Sequence, residues 1–524
     1  MMDLMEACTL SVDHLAQFGC SDITKANLES ELITKYRTDF IDLVQKKLKC
    51  GHIDQMNFKP IQYLLTPKNR YVFDYRKAAI VEPECLAKYT ALVLLAAEDI
   101  EKARIPADEK IVFSSRFAPS GADLFSKNVT YSNWRERIKE LAVDSNCAYI
   151  VQCDIASFYD RVNIHRLEST LLAINVNKEL VSQINNLLLF WSRKDSYGLP
   201  VGNTASRILA EAALIDIDKN LMSEEVKFVR YVDDYRLFAP DLITAQRWMN
   251  LLTNRLFRDG LMLNTGKTKL YLAAKNEELQ SGLKDNDEPE TIIRKVTMLT
   301  GGYNRIARTF IMPAEAKYDA FAKIDVDAEI CTLENQCIPE FEGIQKLIVA
   351  CLVKGRFDKL EQIALFCSRF LYSLDYFVDM LIKNCEVIPP ENQRRIADSY
   401  LQLILSSRFG GLDWHLATLA HLLSHPKYFR KKALFHIVKS QTKENVTYPS
   451  IIAMEGLSGK LSREEFLTLR ELFNRCDDWE KRRMIVVSSS LPLRERKSWA
   501  RAIKPIVQSD FFNSILVNEI TSGN

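Results

Sequence analysis

Two short apolar runs that end on aspartate constrain the fold of this chain most. Residues 148–155 and 226–232 are rich in Ile, Val, Phe and Tyr and too short for typical helices, which favours β-strands. Residues 111–117 indicate a further strand, and apolar residues at helical spacing in 166–191 and 205–221 separate the two runs. The sequence therefore predicts a mixed α/β unit whose strand ends carry Asp154, Asp233 and Asp234.

These three carboxylates indicate a divalent-metal site. A carboxylate at the end of a hydrophobic strand is costly unless opposite charge compensates it. Mg²⁺ prefers oxygen ligands and bridges substrate phosphates. Two Mg²⁺ ions, with Mn²⁺ as the alternative, would hold an attacking 3′-hydroxyl and a leaving pyrophosphate in line. The simpler alternative for the Asp-Asp pair is an ordinary hairpin turn.

Charge and composition set limits on any nucleic-acid role. The 524 residues are 47% hydrophobic and 26% charged, with a formal net charge of +2, as expected for a globular protein of two or three domains. Because no bulk basic surface is implied, phosphate contacts would have to come from a local groove or from bound metal ions. No apolar run is long enough to cross a bilayer, so we expect a cytoplasmic protein without a membrane partner.

The motifs around the aspartates resemble those of reverse transcriptases. YVDD at 231–234 is similar to the family's YxDD box, and Asp154 with Phe158 and Tyr159 is similar to its first carboxylate motif. Further motifs follow the family's order: fingers segments at 67–83 and 113–117, a glycine-containing motif at 198–214, and LMLNTGKTKL at 261–270. The resemblance implies the fingers and palm of a right-hand polymerase.

The resemblance assigns metal and sugar contacts to particular residues. Asp154 and Asp233 would bind both metal ions, Asp234 would support the site, and the backbone carbonyl of Ile155 would be a further ligand. Tyr159 falls at the steric-gate position, where a bulky ring clashes with a 2′-hydroxyl. The resemblance therefore implies a preference for dNTPs.

It also assigns contacts to the triphosphate and the primer. Arg116 stands where a basic fingers residue meets the incoming triphosphate, and Arg70 or Arg76 would assist it. Gly202 belongs to the motif in which glycine lets the backbone approach primer and template. Either Lys267 or Lys269 would act as the acid for the leaving pyrophosphate.

Two departures from the family pattern bear on the template. Val201 stands where templated reverse transcriptases usually carry Gln, and Arg207 follows Ser206 where they often have Ser-Pro. An apolar side chain cannot make the usual hydrogen bond near the template base. With its helical C-terminal half, the chain is similar to the bacterial abortive-infection class of defence reverse transcriptases, whose members have HEAT-like repeats and tend to form homo-oligomers; we expect a trimer or hexamer.

That class implies antiphage DNA synthesis without a conventional template or primed from the protein's own tyrosine. The DNA product would then be covalently attached to a tyrosine, and the candidates are Tyr36, Tyr63, Tyr71 and Tyr75. Some relatives instead use an associated noncoding RNA. The alternative from a different class of protein is a catalytically idle scaffold built on the polymerase fold.

We therefore expect an α+β protein in three parts. Residues 1–66 form a helical lead-in, residues 67–300 the reverse-transcriptase fingers and palm, and residues 301–524 an all-α, HEAT-like helical-repeat domain. Residues 275–290 are polar and without periodicity, which indicates an exposed loop or linker.

Overall fold

The computed structural model describes most of the chain as two compact units. The first unit comprises the described parts of Met1–Tyr63 and Ala78–Glu288, and the second those of Leu64–Lys77 and Arg305–Asn524. The expected linker at 275–290 lies outside the described residues. These are residues 2–23, 27–68, 74–144, 146–193, 195–273, 321, 323–406, 409–440 and 448–522.

Ten α-helices belong to the described part of the first unit, and side-chain caps define where several of them begin. Asn203 accepts a hydrogen bond from the amide of Ser206 and starts α9 directly after Gly202. Glu82 caps the long helix α4, which has Pro83 in its first turn. In chain order, α1 to α10 are Leu4–Phe18, Asn27–Lys35, Arg37–Leu48, Pro83–Ala103, Tyr131–Ala142, Phe158–Arg161, Ile164–Ala173, Lys178–Trp191, Thr204–Ser223 and Leu242–Arg258.

A four-stranded antiparallel sheet forms the centre of this unit. Its order is β6-β7-β5-β8, with β5 at Tyr149–Asp154, β6 at Phe228–Tyr231, β7 at Asp234–Ala239 and β8 at Lys269–Leu272. The strands predicted from the two apolar runs are thereby confirmed as β5 and β6. Because side chains alternate along a strand, one face of the sheet packs against α5, and the other packs against α9 and α10.

The described residues also form two smaller sheets, and the one that contains β3 corrects the prediction for 111–117. Strands β1 (Gln62–Pro67) and β2 (Tyr75–Ile80) form one two-stranded sheet, and β3 (Phe117–Ser120) and β4 (Asp123–Phe125) form the other. Residues 111–117 are not a continuous strand. The side chain of Arg104 occupies the carbonyls of Ser114 and Ser115, at 2.6 and 2.9 Å, and therefore competes with a strand partner for these acceptors.

From Val326 to Ser522, the described part of the second unit is an all-α helical repeat. Helices two apart in the chain pack together, which is the arrangement of a solenoid of helix pairs. Ion pairs tie neighbouring repeats, for example Arg356 with Asp327 at 3.0 Å and Arg463 with Glu495 at 2.8 Å. Helices α11 to α22 are Val326–Glu334, Phe341–Val353, Leu360–Arg369, Leu374–Lys383, Pro390–Leu405, Asp413–Ser424, Lys431–Ser440, Tyr448–Leu457, Arg463–Arg470, Asp478–Val487, Leu493–Val507 and Phe511–Ser522.

The predicted fold class, an α+β core followed by an all-α repeat domain, is confirmed. Among the described residues, no helix combines the length and apolar character that a membrane crossing requires.

Candidate active site

A tight hairpin brings the three aspartates together. Strand β6 ends at Tyr231 and β7 begins at Asp234, so Val232 and Asp233 form a two-residue turn. Strand β5 lies beside β7 in a register that pairs Asp154 with Asp234. As a result, one carboxylate oxygen from each of Asp154, Asp233 and Asp234 lies within 4.8 Å of the others.

The turn is held in a strained backbone conformation. Val232 has φ of 55°, a value that a β-branched residue rarely adopts and that costs roughly 1–3 kcal/mol. Two hydrogen bonds hold the turn. Nη1 of Arg230 donates to the carbonyl of Val232 at 2.8 Å, and the amide of Ile155 donates to the carbonyl of Asp233 at 3.2 Å. The position of the Asp233 carboxylate therefore depends on contacts outside the turn.

The carboxylates perturb one another strongly. Burial, followed by the charges of Asp234 and Asp154, raises the pKa of Asp233 to about 8. Burial also raises the pKa of Asp154, although the ammonium of Lys267 and the side chain of Asn264 act in the opposite direction. At neutral pH, full ionisation of all three carboxylates is therefore unfavourable unless a further cation is bound.

The donor set fits a divalent metal ion. Hard ions such as Mg²⁺ and Mn²⁺ prefer carboxylate and carbonyl oxygens, and three carboxylates at this separation supply them. Ile155, the further predicted ligand, directly follows Asp154 and is buried. Its carbonyl as a metal ligand stays a prediction.

The two candidate lysines differ in position. Nζ of Lys267 lies 3.3 Å from Oδ1 of Asp154, within the carboxylate cluster. Burial disfavours the ammonium, but Asp154, Asp234 and Asp233 outweigh this effect and raise the pKa of Lys267. Lys269 lies in β8 opposite Gln152, and its side chain is exposed. The geometry favours Lys267 over Lys269 as the residue that acts at the cluster.

Tyr159 and the glycine motif are joined through their backbones. The amide of Leu199 donates to the carbonyl of Tyr159 at 2.8 Å, and the amide of Gly198 donates to the carbonyl of Val162 at 2.9 Å. Tyr159 itself is buried, with 7% of its surface exposed. The candidate steric gate is therefore fixed to the glycine motif, and its role stays a prediction.

Gly202 makes its close approach to the N-terminal segment. Its φ is +108°, and a Cβ at this position would lie 2.7 Å from Cδ1 of Ile23. Its carbonyl accepts a hydrogen bond from the amide of Asp22 at 3.0 Å. A side chain at 202 would therefore meet both backbone strain and a clash. The contact of Gly202 with primer or template stays a prediction.

Of the predicted triphosphate contacts, the structure describes Arg116 and Arg76. Arg116 is 5% exposed, donates to the carbonyl of Ile105 at 2.9 Å and pairs with Glu101 at 2.6 Å. Burial and the nearby Arg104 lower its pKa. Arg76 lies in β2 in the second unit. Arg70 lies outside the described residues.

The two departures from the family pattern have structural roles. Val201 is buried, and its carbonyl accepts a hydrogen bond from the amide of Ala79 at 2.9 Å. Arg207 forms an ion pair with Asp22. On α1, His14 bonds Thr204 at 2.9 Å through Nε2. The N-terminal helices are thus anchored to the start of α9.

The sequence motifs do not identify the residues that support the aspartates beneath the hairpin and next to it. Arg230 is fully buried under the hairpin, and Arg236 lies 3.6 Å from Asp234 with its guanidinium over the ring of Trp134. The amide of Asn264 donates to the carbonyl of Asp154 at 2.7 Å. One signal was visible, since Arg230 interrupts an apolar strand, where a charged residue requires a buried partner.

The antiparallel sheet and the three carboxylates clustered at its tight turn match the palm that the sequence motifs imply for a nucleotide-transferring polymerase. Residues 100–296 match the family model described as reverse transcriptase (RNA-dependent DNA polymerase). This part of the chain is a reverse transcriptase domain, which is a type of nucleotidyltransferase domain.

Solved structures with similarity to the chain include two yeast telomerases. Telomerase from Candida albicans, in complex with a fragment of telomeric RNA, is 13% identical with a TM-score of 0.30, and the match covers 67% of this chain and 64% of that one. Apo telomerase from Candida tropicalis is 11% identical with a TM-score of 0.31, and the match covers 79% and 68%. The chain thus spans about two thirds of these telomerases. No curated protein sequence matches the chain.

Proposed function

We propose that this protein is a DNA polymerase that adds dNTPs to a growing strand with two Mg²⁺ ions, for which Mn²⁺ can substitute. The observation that carries the proposal is the cluster of Asp154, Asp233 and Asp234, whose oxygens lie within 4.8 Å of one another. When bound, the ions would lower the pKa of the attacking hydroxyl and neutralise the leaving pyrophosphate. Burial and the charges of Asp234 and Asp154 raise the pKa of Asp233 to about 8, which supports the proposal because a bound cation would offset both effects.

The residues around the cluster supply the remaining parts of the reaction. Asp154 and Asp233 would hold both ions, and Asp234 would support the site. Lys267 protonates the pyrophosphate, which its position 3.3 Å from Asp154 supports. The ring of Tyr159 excludes a 2′-hydroxyl, and Arg116 binds the triphosphate after exchanging its present contact with Glu101. Gly202 lets the backbone approach the primer.

We further propose that synthesis proceeds without a conventional template, is primed by a protein tyrosine, or both. Val201 is buried and apolar, so it offers no hydrogen bond to a template base. Among the candidate primers, Tyr63 is 38% exposed and lies near the charges of Asp160 and Arg193. Tyr36 and Tyr75 are also described, whereas Tyr71 lies outside the described residues.

The biological role we propose is antiphage defence of the abortive-infection type in the bacterial cytoplasm. Its support is the sequence resemblance together with the all-α repeat unit that accompanies the polymerase domain. We assign residues 67–300 to the fingers and palm, 1–66 to a lead-in and 301–524 to the repeat domain. Through the repeat domain the protein would form a trimer or hexamer.

The test is incorporation of labelled dNTPs by purified protein with Mg²⁺, with and without added RNA or DNA template. The matched control is the double variant Asp233→Asn with Asp234→Asn, which keeps the shape of both side chains. We expect incorporation to fall to background in this variant, because losing one charged contact typically costs 10²-fold or more. A folded double variant that retained incorporation would overturn the metal assignment.

The location of the label in the product distinguishes tyrosine priming from RNA-templated synthesis. After denaturation, product that partitions with protein and is released by protease supports tyrosine priming. Product that is free of protein and depends on added or co-purified RNA supports an RNA-templated enzyme with an associated noncoding RNA. If the wild-type protein incorporates no label under any of these conditions, the idle-scaffold alternative is the better account.

A further inference from the structure

A buried cluster of charges lies beneath the catalytic hairpin. Arg230 occupies the face of β6 opposite to Tyr231, between the sheet and α9. Its Nε lies 3.0 and 3.1 Å from the two carboxylate oxygens of Asp218, and its Nη2 lies 2.5 Å from Asp218 and 2.9 Å from Glu211. Both acidic residues are on α9 and are at most 3% exposed. The guanidinium is thus clamped from one side by two carboxylates.

The remaining nitrogen of this guanidinium reaches the turn. Nη1 of Arg230 donates to the carbonyl of Val232 at 2.8 Å. Val232 is the residue with the positive φ, and Asp233 follows it directly. The helix α9 is therefore connected to the strained turn through a planar guanidinium, each nitrogen of which donates to at least one buried or backbone acceptor.

Charge balance makes this connection rigid. Glu211 also binds Arg104, at 2.8 Å, and the hydroxyl of Ser114, at 2.5 Å. Arg104 in turn pairs with Glu101 at 3.0 Å. Because buried charges are tolerated when each has partners in good geometry, the cluster holds Arg230 in one orientation.

We propose that Arg230 is a positioning residue for metal binding. By holding the carbonyl of Val232, it keeps this residue in its left-handed conformation and directs the carboxylate of Asp233 toward Asp154 and Asp234. The inference rests on the proposed function, in which these three carboxylates bind divalent cations. It adds that metal affinity depends on a side chain that touches neither metal nor substrate.

The primary test compares Mn²⁺ binding by the wild-type protein and by Arg230→Lys, with free Mn²⁺ counted by electron paramagnetic resonance. Lysine keeps the positive charge but cannot hold two carboxylates and the Val232 carbonyl in one planar arrangement. We expect affinity to fall about tenfold, at the lower end of the range typical when a partner that orients a metal ligand is lost. Circular dichroism and thermal melting check that the variant folds.

A rescue experiment separates positioning from general stability. Glycine adopts positive φ without strain, so Val232→Gly no longer needs the hydrogen bond to stay in the turn. Added to Arg230→Lys, it should restore Mn²⁺ affinity to within about threefold of the Val232→Gly single variant. A purely structural role for Arg230 would leave the double variant as weak as Arg230→Lys alone.

Tyr235→Phe provides the matched control. It removes the hydroxyl that donates to Asp218 at 3.0 Å but leaves the contact between Arg230 and Val232 in place. We expect this variant to lose some thermal stability and to keep wild-type Mn²⁺ affinity. An equal loss of affinity in Tyr235→Phe and Arg230→Lys would overturn the proposal.

If Arg230→Lys does not fold, Asp218→Asn is used instead. Asparagine has nearly the same shape as aspartate but lacks the negative charge, so it weakens the contact that holds Arg230. The proposal is supported if Asp218→Asn binds Mn²⁺ more weakly than the wild-type protein and the addition of Val232→Gly restores the affinity. It is refuted if Asp218→Asn binds Mn²⁺ as tightly as the wild-type protein. Failure of the proposed function looks different. In that case the Asp233→Asn variant binds as much Mn²⁺ as the wild-type protein, or neither of them binds any.

Discussion

Replacing Lys267 by methionine should reduce nucleotide incorporation by about 100-fold while changing stability little. The side chain of Lys267 is 61% exposed and lies 3.3 Å from Asp154, so the ion pair itself contributes at most about 1 kcal/mol to folding. Loss of a general acid typically slows a reaction at least 10²-fold, which at about 1.4 kcal/mol per factor of ten is roughly 2.8 kcal/mol of transition-state stabilisation. The loss of activity should therefore exceed any effect of instability.

The assay is single-turnover incorporation of one labelled dNTP at saturating Mg²⁺, with thermal melting in parallel. Lys269→Met is the matched control, because this residue is exposed in β8 opposite Gln152 and should change the rate less than about threefold. Lys267→Arg separates charge from proton donation, since arginine keeps the charge but hardly donates a proton. Equal losses in the two methionine variants would refute the reasoning, and full activity of Lys267→Arg would assign Lys267 an electrostatic role.

Two further predictions concern the sugar and the repeat unit. Tyr159→Val should raise the ratio of rNTP to dNTP incorporation, because it removes the ring that excludes a 2′-hydroxyl, and an unchanged ratio would count against the gate. Burial lowers the pKa of His415 from 6.5 to about 4, so this neutral histidine contributes stability that is present above pH 6.5 and is lost as pH falls through about 4. Between these pH values, calorimetry should show that the free energy of unfolding of the wild-type protein falls by up to about 3 kcal/mol more than that of His415→Gln. The same dependence of this free energy on pH in both proteins would contradict the prediction.

The elements that sequence predicted best were those with strong local patterns. Strand β5 was expected at 148–155 and is found at Tyr149–Asp154, and α9 was expected at 205–221 and is found at Thr204–Ser223. The first combines aromatic and β-branched residues in a short run, and the second is a long helix with an Asn cap. Such signals depend on neighbouring residues and survive without knowledge of the tertiary structure.

Elements decided by distant contacts could not be predicted. The segment 111–117 has strand-like composition, yet the guanidinium of Arg104 takes the carbonyls of Ser114 and Ser115. The charge cluster under the hairpin joins Arg104, which follows the end of α4, to residues of α9 and β6 that are far away in the chain. For the same reason the aspartates could be proposed from sequence, whereas the residue that holds their turn could not.

The arginine that departs from the reverse-transcriptase pattern illustrates how one substitution can change what a motif contacts. Arg207 lies in the first turns of α9 and pairs with Asp22, while Gly202 accepts the amide of that same residue and leaves room for Ile23. A proline at 207 would offer Asp22 no cation. Asp22 would then lose its ion pair and retain the backbone hydrogen bond from its amide to the carbonyl of Gly202. The lead-in and the glycine motif are therefore structurally coupled in this chain. Substitutions at Asp22 should affect the region around Gly202, although Asp22 lies far from the three aspartates in sequence.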